Sequence, residues 1–212
     1  MKQTRIYLLR HGQSEANANA VFAGCDEYPL TSLGVLQAEC AAKYLESEHI
    51  DAFFSSPLSR AIETARPVLA GRGKALEIRE GFREIYFGEW EGKYAAYLRD
   101  NDPVYLKWRE LSAKYKPRSG EGARKAGKRF YDELLSVARE HEGETILIAA
   151  HGGVIMALLC EIGYFGYETA THDCIPKNCS ITTLVYENST FSVERFSHNG
   201  YLENLKTELI SV

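Results

Sequence analysis

The stretch "YLLRHGQSEANAN" (residues 7–19) leaves an apolar run and stops on Arg10, His11 and Gly12. The run "RIYLLR" (5–10) is short and rich in Ile, Tyr and Leu, which predicts a buried strand. A strand end that carries a guanidinium and an imidazole is ordinarily a polar rim. Two further apolar runs stop in a comparable way. "DAFFSS" (51–56) predicts a second strand, after which Pro57 opens a helix at about 57–70 and puts Arg60 on its first turn. "TILIAA" (145–150) predicts a third buried strand, ending on His151, Gly152 and Gly153 just before a helix over 153–163 closed by Gly163.

Outward from these junctions the chain alternates strand and helix. From Ser32 to Glu48, Leu33, Leu36, Cys40, Ala41, Tyr44 and Leu45 recur at helical spacing, with Thr31 or Ser32 as N-cap. "ALEIRE" (75–80) predicts a short strand. Residues 81–92, rich in glycine and aromatics, predict an ordered loop, and helices follow at about 102–115 and 120–141. "SITTLVYE" (180–187) and "TFSVERF" (190–196), separated by "NS", suit a β-hairpin. The expected fold is a three-layer α/β/α sandwich with a mostly parallel, mixed central sheet. No Pro/Ser/Gly-rich linker divides the 212 residues, so one domain over 1–212 is expected, with a helical, cap-like insertion at about 93–129.

Composition narrows the function classes. An apolar content of 45% supports one sizeable core, and no apolar stretch approaches the roughly 20 residues of a membrane span. The N-terminal apolar run is too short for a signal peptide, and the five cysteines (25, 40, 160, 174, 179) are odd in number and lack a CxxC. A cytoplasmic protein is expected, without membrane or nucleic-acid partners, as monomer or homodimer. "HDC" (172–174) is the one candidate metal cluster and has no convincing partners, so neither metal nor cofactor is expected. The net charge of −4 hides an asymmetry: residues 93–129 hold eleven Lys+Arg against four Asp+Glu, or +7, leaving −11 elsewhere. That block could steer an anionic substrate, or it could be a solvated helical face.

In open α/β sheets, ligands gather at the carboxyl ends of strands. If the three junctions share one edge, Arg10, His11, Arg60 and His151 converge beside helix N-termini. Such a site favours an anion with several oxygens, and guanidinium forks match phosphate. Each group alone has an ordinary reading: a structural histidine, a surface arginine, a Gly-Gly turn. Three junctions with compatible groups make the reactive reading the stronger one.

Longer motifs point the same way. "LLRHGQSEAN" (8–17), "GCDEYPLTSLGVLQAE" (24–39), "SSPLSRAIETA" (55–65), "FREIYFGEWEG" (82–92), "AAHGGVI" (149–155) and "NCSIT" (178–182) together resemble the signature segments of the histidine phosphatase superfamily, in the family's order. The resemblance implies a phosphoglycerate-mutase-like fold and a small phosphorylated substrate, with phosphate as product. It implies that His11 is the nucleophile, that Arg10, Arg60 and His151 grip phosphate oxygens, and that Glu84 protonates the leaving group. Gln13, Asn17, Ala23, Gly24 and Gly152 fall at substrate-binding positions. Two nearby guanidiniums would depress the His11 pKa, and Tyr86, Phe87 and Trp90 could be apolar walls for Glu84, or plain core.

The chain also departs from the family. Ala16 stands where many mutases have tryptophan, and Gly122 replaces the serine of a G-E-S motif that keeps Glu121. No adjacent-arginine segment follows the E-W-E-G loop. The shorter form resembles the phosphatase branch, which includes α-ribazole phosphatase and broad-specificity phosphatases. A cofactor-dependent phosphoglycerate mutase is the alternative, favoured by the basic block. A phosphate-binding module without catalysis is the third reading.

Overall fold

The computed structural model describes residues 2–203 and 205; residues 1, 204 and 206–212 of the expected domain lie outside the described residues. Six strands form one sheet: β1 (Thr4–Arg10), β2 (Ala52–Ser55), β3 (Leu76–Ile78), β4 (Thr145–Ala150), β5 (Ile181–Glu187) and β6 (Thr190–His198), in the order β3-β2-β4-β1-β5-β6. β1 runs parallel to β4, and β2 runs parallel to both β4 and β3. β5 lies antiparallel to β1, and β6 antiparallel to β5. The sheet is therefore mixed and mostly parallel around its centre, as expected.

Alternation along β1 creates the layers, because successive side chains of a strand face opposite sides. Ile6 and Leu8 join one core cluster with residues of α6 (Ala123–Glu140) and α7 (Gly152–Glu161). Tyr7 and Leu9 join another with residues of α2 (Ser32–Tyr44) and α3 (Ser59–Leu69). The hairpin between β5 and β6 turns on Asn188 and Ser189, both at positive φ (54° and 62°), the twist that a two-residue loop requires.

Several boundaries differ from expectation. α3 begins at Ser59 rather than Pro57, because the Ser56 hydroxyl accepts the Leu58 N–H (3.3 Å) and holds the chain extended there. A short α1 (Glu15–Ala18) and an α4 (Ala95–Asn101) are present that periodicity missed; α4 has no side-chain cap at Tyr94 to announce it. α5 (Pro103–Glu110) starts where expected, on the Asp102 carboxylate, which accepts N–H bonds from Val104 (2.8 Å) and Tyr105 (3.4 Å). It stops at Glu110 instead of 115, and the Ser112 hydroxyl takes up the Trp108 carbonyl (3.0 Å). The 81–92 loop carries two single turns of 3₁₀ helix, Glu80–Phe82 and Gly88–Trp90.

No described helix is long and apolar enough to cross a membrane.

Candidate active site

The carboxyl ends of β1, β2 and β4 meet on one edge of the sheet. Arg10 pairs in register with Ala150, so His11 and His151 leave adjacent strands side by side, ring centroids 5.1 Å apart. The His11 backbone is pinned on both sides, its N–H donating to Ala150 O (3.0 Å) and its carbonyl accepting from Cys179 N (3.0 Å). The Asn178 amide donates to the same carbonyl (3.3 Å), to Gly12 O (3.4 Å) and to Asn17 Oδ1 (2.9 Å), tying the β1 end to α1.

His11 is 4% exposed, and its Nδ1 lies 2.7 Å from Gly12 O. A carbonyl only accepts, so Nδ1 carries the proton and Nε2 keeps its lone pair. Burial holds the His11 pKa well below its ordinary value, with the Arg60 and Arg10 charges adding to the effect. The two guanidiniums thus act as expected, but they come second to desolvation. His151 is fully buried, its pKa lowered chiefly by burial and then by Arg60; its Nε2 sits 2.7 Å from Ser56 Oγ, and its Nδ1 has no partner.

Arg60, 1% exposed, donates to Asp26 O (2.8 Å) and Gly24 O (2.6 Å), which sets the 23–26 loop against α3. Arg10 donates to Pro176 O, its Nε is buried without a partner, and burial holds its pKa down to about 10. Glu84 is 8% exposed: Oε1 accepts from Ile85 N (2.8 Å) and Val154 N (2.7 Å), and Oε2 from Gly153 N (3.0 Å). Two of these donors belong to the first turn of α7, so the helix that follows His151 also fixes the carboxylate.

A cavity of about 850 Å³ opens over these groups and is lined by Arg10, His11, Arg60 and Glu84. Asn17, Ala23, Gly24 and Gly152 also line it. Gln13 does not: its side-chain carbonyl accepts the Thr31 hydroxyl (2.9 Å), bracing the start of α2. His151 lies behind His11 rather than on the cavity surface. The expected walls separate as well. Phe87 lines the cavity, Trp90 is fully buried with its Nε1 donating to Asp102 Oδ2 (2.7 Å), and Tyr86 is 44% exposed. The far wall consists of Phe22 with Phe87, Tyr105 and Trp108 packed edge-on around it at 5.2–5.6 Å.

Sequence reasoning missed Ser56, Asn178 and Glu91. Glu91 Oε1 accepts from both Cys25 N (3.0 Å) and Phe87 N (2.8 Å), joining the 23–26 loop to the Glu84 loop. "HDC" (172–174) supplies lining residues His172 and Asp173, and no metal-holding cluster exists among the described residues. The basic block also falls elsewhere: no Lys or Arg of 93–129 lines the cavity, whose Tyr105 and Trp108 come from that segment. Arg129 is committed to Glu121 (2.8 Å), Lys128 to Asp132 (2.8 Å) and Lys114 to Glu168 (2.8 Å).

Gly24 is the hinge of this arrangement. Its φ is +46°, and a Cβ there would fall 2.0 Å from Glu91 Oε1. Gly24→Ala is expected to cost about 2 kcal/mol from the left-handed backbone alone, read as a lowered midpoint in urea unfolding. An unchanged midpoint would show that the loop adapts freely.

A family model described as "Histidine phosphatase superfamily (branch 1)" matches residues 6–199. The adenosylcobalamin/alpha-ribazole phosphatase of Salmonella typhimurium is 30% identical over 176 residues, 82% of this chain and 87% of that protein. Among solved structures, YhfR of Bacillus stearothermophilus superposes with a TM-score of 0.87 at 30% identity, covering 94% of this chain and all of that one. A phosphoserine phosphatase from Entamoeba histolytica, solved with 3-phosphoglyceric acid, superposes at 0.83 with 29% identity, over 94% of this chain and 99% of that one. The chain belongs to the histidine phosphatase superfamily, branch 1, and is a phosphatase of that superfamily.

Proposed function

We propose that the chain hydrolyses a phosphate monoester of a small metabolite through a phosphohistidine on His11. The observation that carries this reading is the Nδ1–H bond from His11 to Gly12 O, which leaves the Nε2 lone pair as the nucleophile. Nε2 forms a bond to phosphorus while the bond from phosphorus to the leaving oxygen breaks. That oxygen takes a proton from Glu84. Oε1 is saturated by two N–H donors, so the proton resides on Oε2, which keeps a free lone pair. Water then attacks the phosphohistidine, returns a proton to Glu84 and releases phosphate. Arg10, through its unpartnered Nε, and Arg60 hold the equatorial oxygens where charge is spread in the transition state. His151, off the cavity surface, supports the site from behind, its ring packed 5.1 Å from that of His11.

The aromatic wall suits a leaving group with an apolar or ring-bearing body. A mutase needs basic groups for a second anionic head; no Lys or Arg of the basic block lines the cavity, and Lys177 is the one lysine among its lining residues, which favours hydrolysis. All five proposed catalytic positions are filled, which counts against an inert binding module. The test is phosphate release from a panel that includes ribazole phosphate, phosphoserine and sugar phosphates, with trapping of phosphorylated His11. Failure to turn over any monoester, with no phosphohistidine trapped, would sink the reading. Isomerisation of 3-phosphoglycerate outpacing phosphate release would convert it to a mutase.

The buried histidines also set an acid limit on stability. Their folded pKa values lie below the unfolded value of about 6.5, so the folded state binds fewer protons there. The stability this contributes is complete above that pH and is lost as pH falls towards the folded pKa. Each group accounts for up to about 1.4 kcal/mol per pH unit. Urea midpoints are expected to fall steeply between pH 6.5 and 5, and His151→Gln is expected to flatten that slope. A slope unchanged by the substitution would remove His151 from the account.

A further inference from the structure

A second cavity, about 710 Å³, shares no lining residue with the first and lies on the other side of the segments that hold Gly24 and Glu84. Cys25, Arg83 and Tyr86 form one wall, and residues 116–125, from the sequence's basic block, form the other. Four cationic side chains line it, Arg83, Lys116, Arg124 and Lys125, against one carboxylate, Glu121. That carboxylate is already neutralised from outside the cavity, by Arg129 at 2.8 and 3.2 Å.

The cations are only partly used. The Lys125 ammonium makes no ion pair or hydrogen bond among the described residues, and Lys116 spends one ammonium N–H on Gly120 O (2.8 Å) and keeps two. Arg83 forms no ion pair among the described residues, and its Nε is buried without a hydrogen-bond partner. Arg124 stacks over Tyr167 at 4.3 Å and reaches Glu168 only at 3.5 Å. Two lysine ammoniums with free N–H donors beside the Arg83 guanidinium make a cationic cluster suited to an anion with several oxygens. The volume falls within the roughly 300–1,000 Å³ of small-ligand sites and exceeds what a bare phosphate fills.

We infer that this second cavity binds the phosphate group of a small phosphorylated metabolite, separately from the catalytic cavity. This inference needs no assumption about the chemistry at His11. Its walls include Arg83, which precedes Glu84, and Tyr86, two residues after it, so an occupant rests directly on the loop that carries Glu84.

The probe is inorganic phosphate, titrated calorimetrically into the wild-type chain and into Lys116→Gln/Lys125→Gln. Both lysines are exposed, so the double variant keeps its fold. Two binding events per chain are expected for the wild type. The double variant is expected to weaken one event by about tenfold or more, since two charge-assisted contacts are lost. Its kcat and its competitive inhibition by phosphate, which read the catalytic cavity, are expected to stay within twofold of wild type. A single event in the wild type, or two events unaltered in the double variant, would overturn the inference. Loss of phosphate inhibition together with binding would also overturn it, by showing one site instead of two.

Discussion

His11→Ala is expected to lower kcat by at least about 10³-fold, the scale seen when a nucleophile that works as part of a unit is removed. Nothing nearby can replace it. His151 has its Nε2 engaged with Ser56 and sits behind His11, off the cavity surface, and His172 lines the cavity on the aromatic side, packed edge-on against Trp108 at 5.9 Å. The groups that hold phosphate survive the substitution, because Arg10 and Arg60 are anchored on Pro176, Asp26 and Gly24 carbonyls that do not involve the imidazole. Phosphate affinity should therefore change little while turnover and phosphoenzyme disappear. Rapid-quench trapping with labelled substrate, alongside phosphate binding, separates the two. Retention of more than a tenth of kcat would exclude His11 as nucleophile.

Glu84→Gln carries the second large effect, and its size should depend on the leaving group. An alkoxide needs a proton as it departs, so alkyl phosphates should lose about 10²- to 10⁴-fold in kcat, the usual worth of a general acid. An activated aryl phosphate expels a stable phenolate and should lose less than tenfold. The contrast matters more than either value because glutamine also disturbs the site. Its amide oxygen can accept the Ile85 and Val154 N–H groups, but its NH₂ then faces the Gly153 N–H, which Glu84 Oε2 satisfies. That structural penalty falls on all substrates alike. Equal losses across the series would leave Glu84 as a support for the α7 N-terminus and not as the acid.

The parts of the site legible in sequence are those placed by strand ends. Once "YLLRHG", "FFSSPLSR" and "LIAAHGG" are read as strand-to-helix junctions, sheet geometry alone brings Arg10, His11, Arg60 and His151 together. Glu84 came from motif resemblance, since no periodicity marks a loop carboxylate. Ser56, Asn178 and Glu91 were not legible, because each acts through a clamp between segments far apart in the chain. Asn178 holds the His11 carbonyl across 167 residues, and Ser56 meets His151 across 95. The basic block shows the reverse failure. Its charge is plain in the sequence, but its charged side chains are directed to surface partners and to the second cavity, while Tyr105 and Trp108 face the catalytic one.

The adjacency of β1 and β4 has a consequence for how activity emerges as the chain folds. His11 and His151 become neighbours only when residues 5–10 zip against 145–150, a pairing that encloses some 140 residues. Closing so long a loop is slow compared with forming local helices. Helical circular dichroism should therefore recover in refolding well before phosphatase activity does. Catalysis would then serve as a late clock for the central strand pair, and a synthesis intermediate lacking β4 would carry His11 with no site around it.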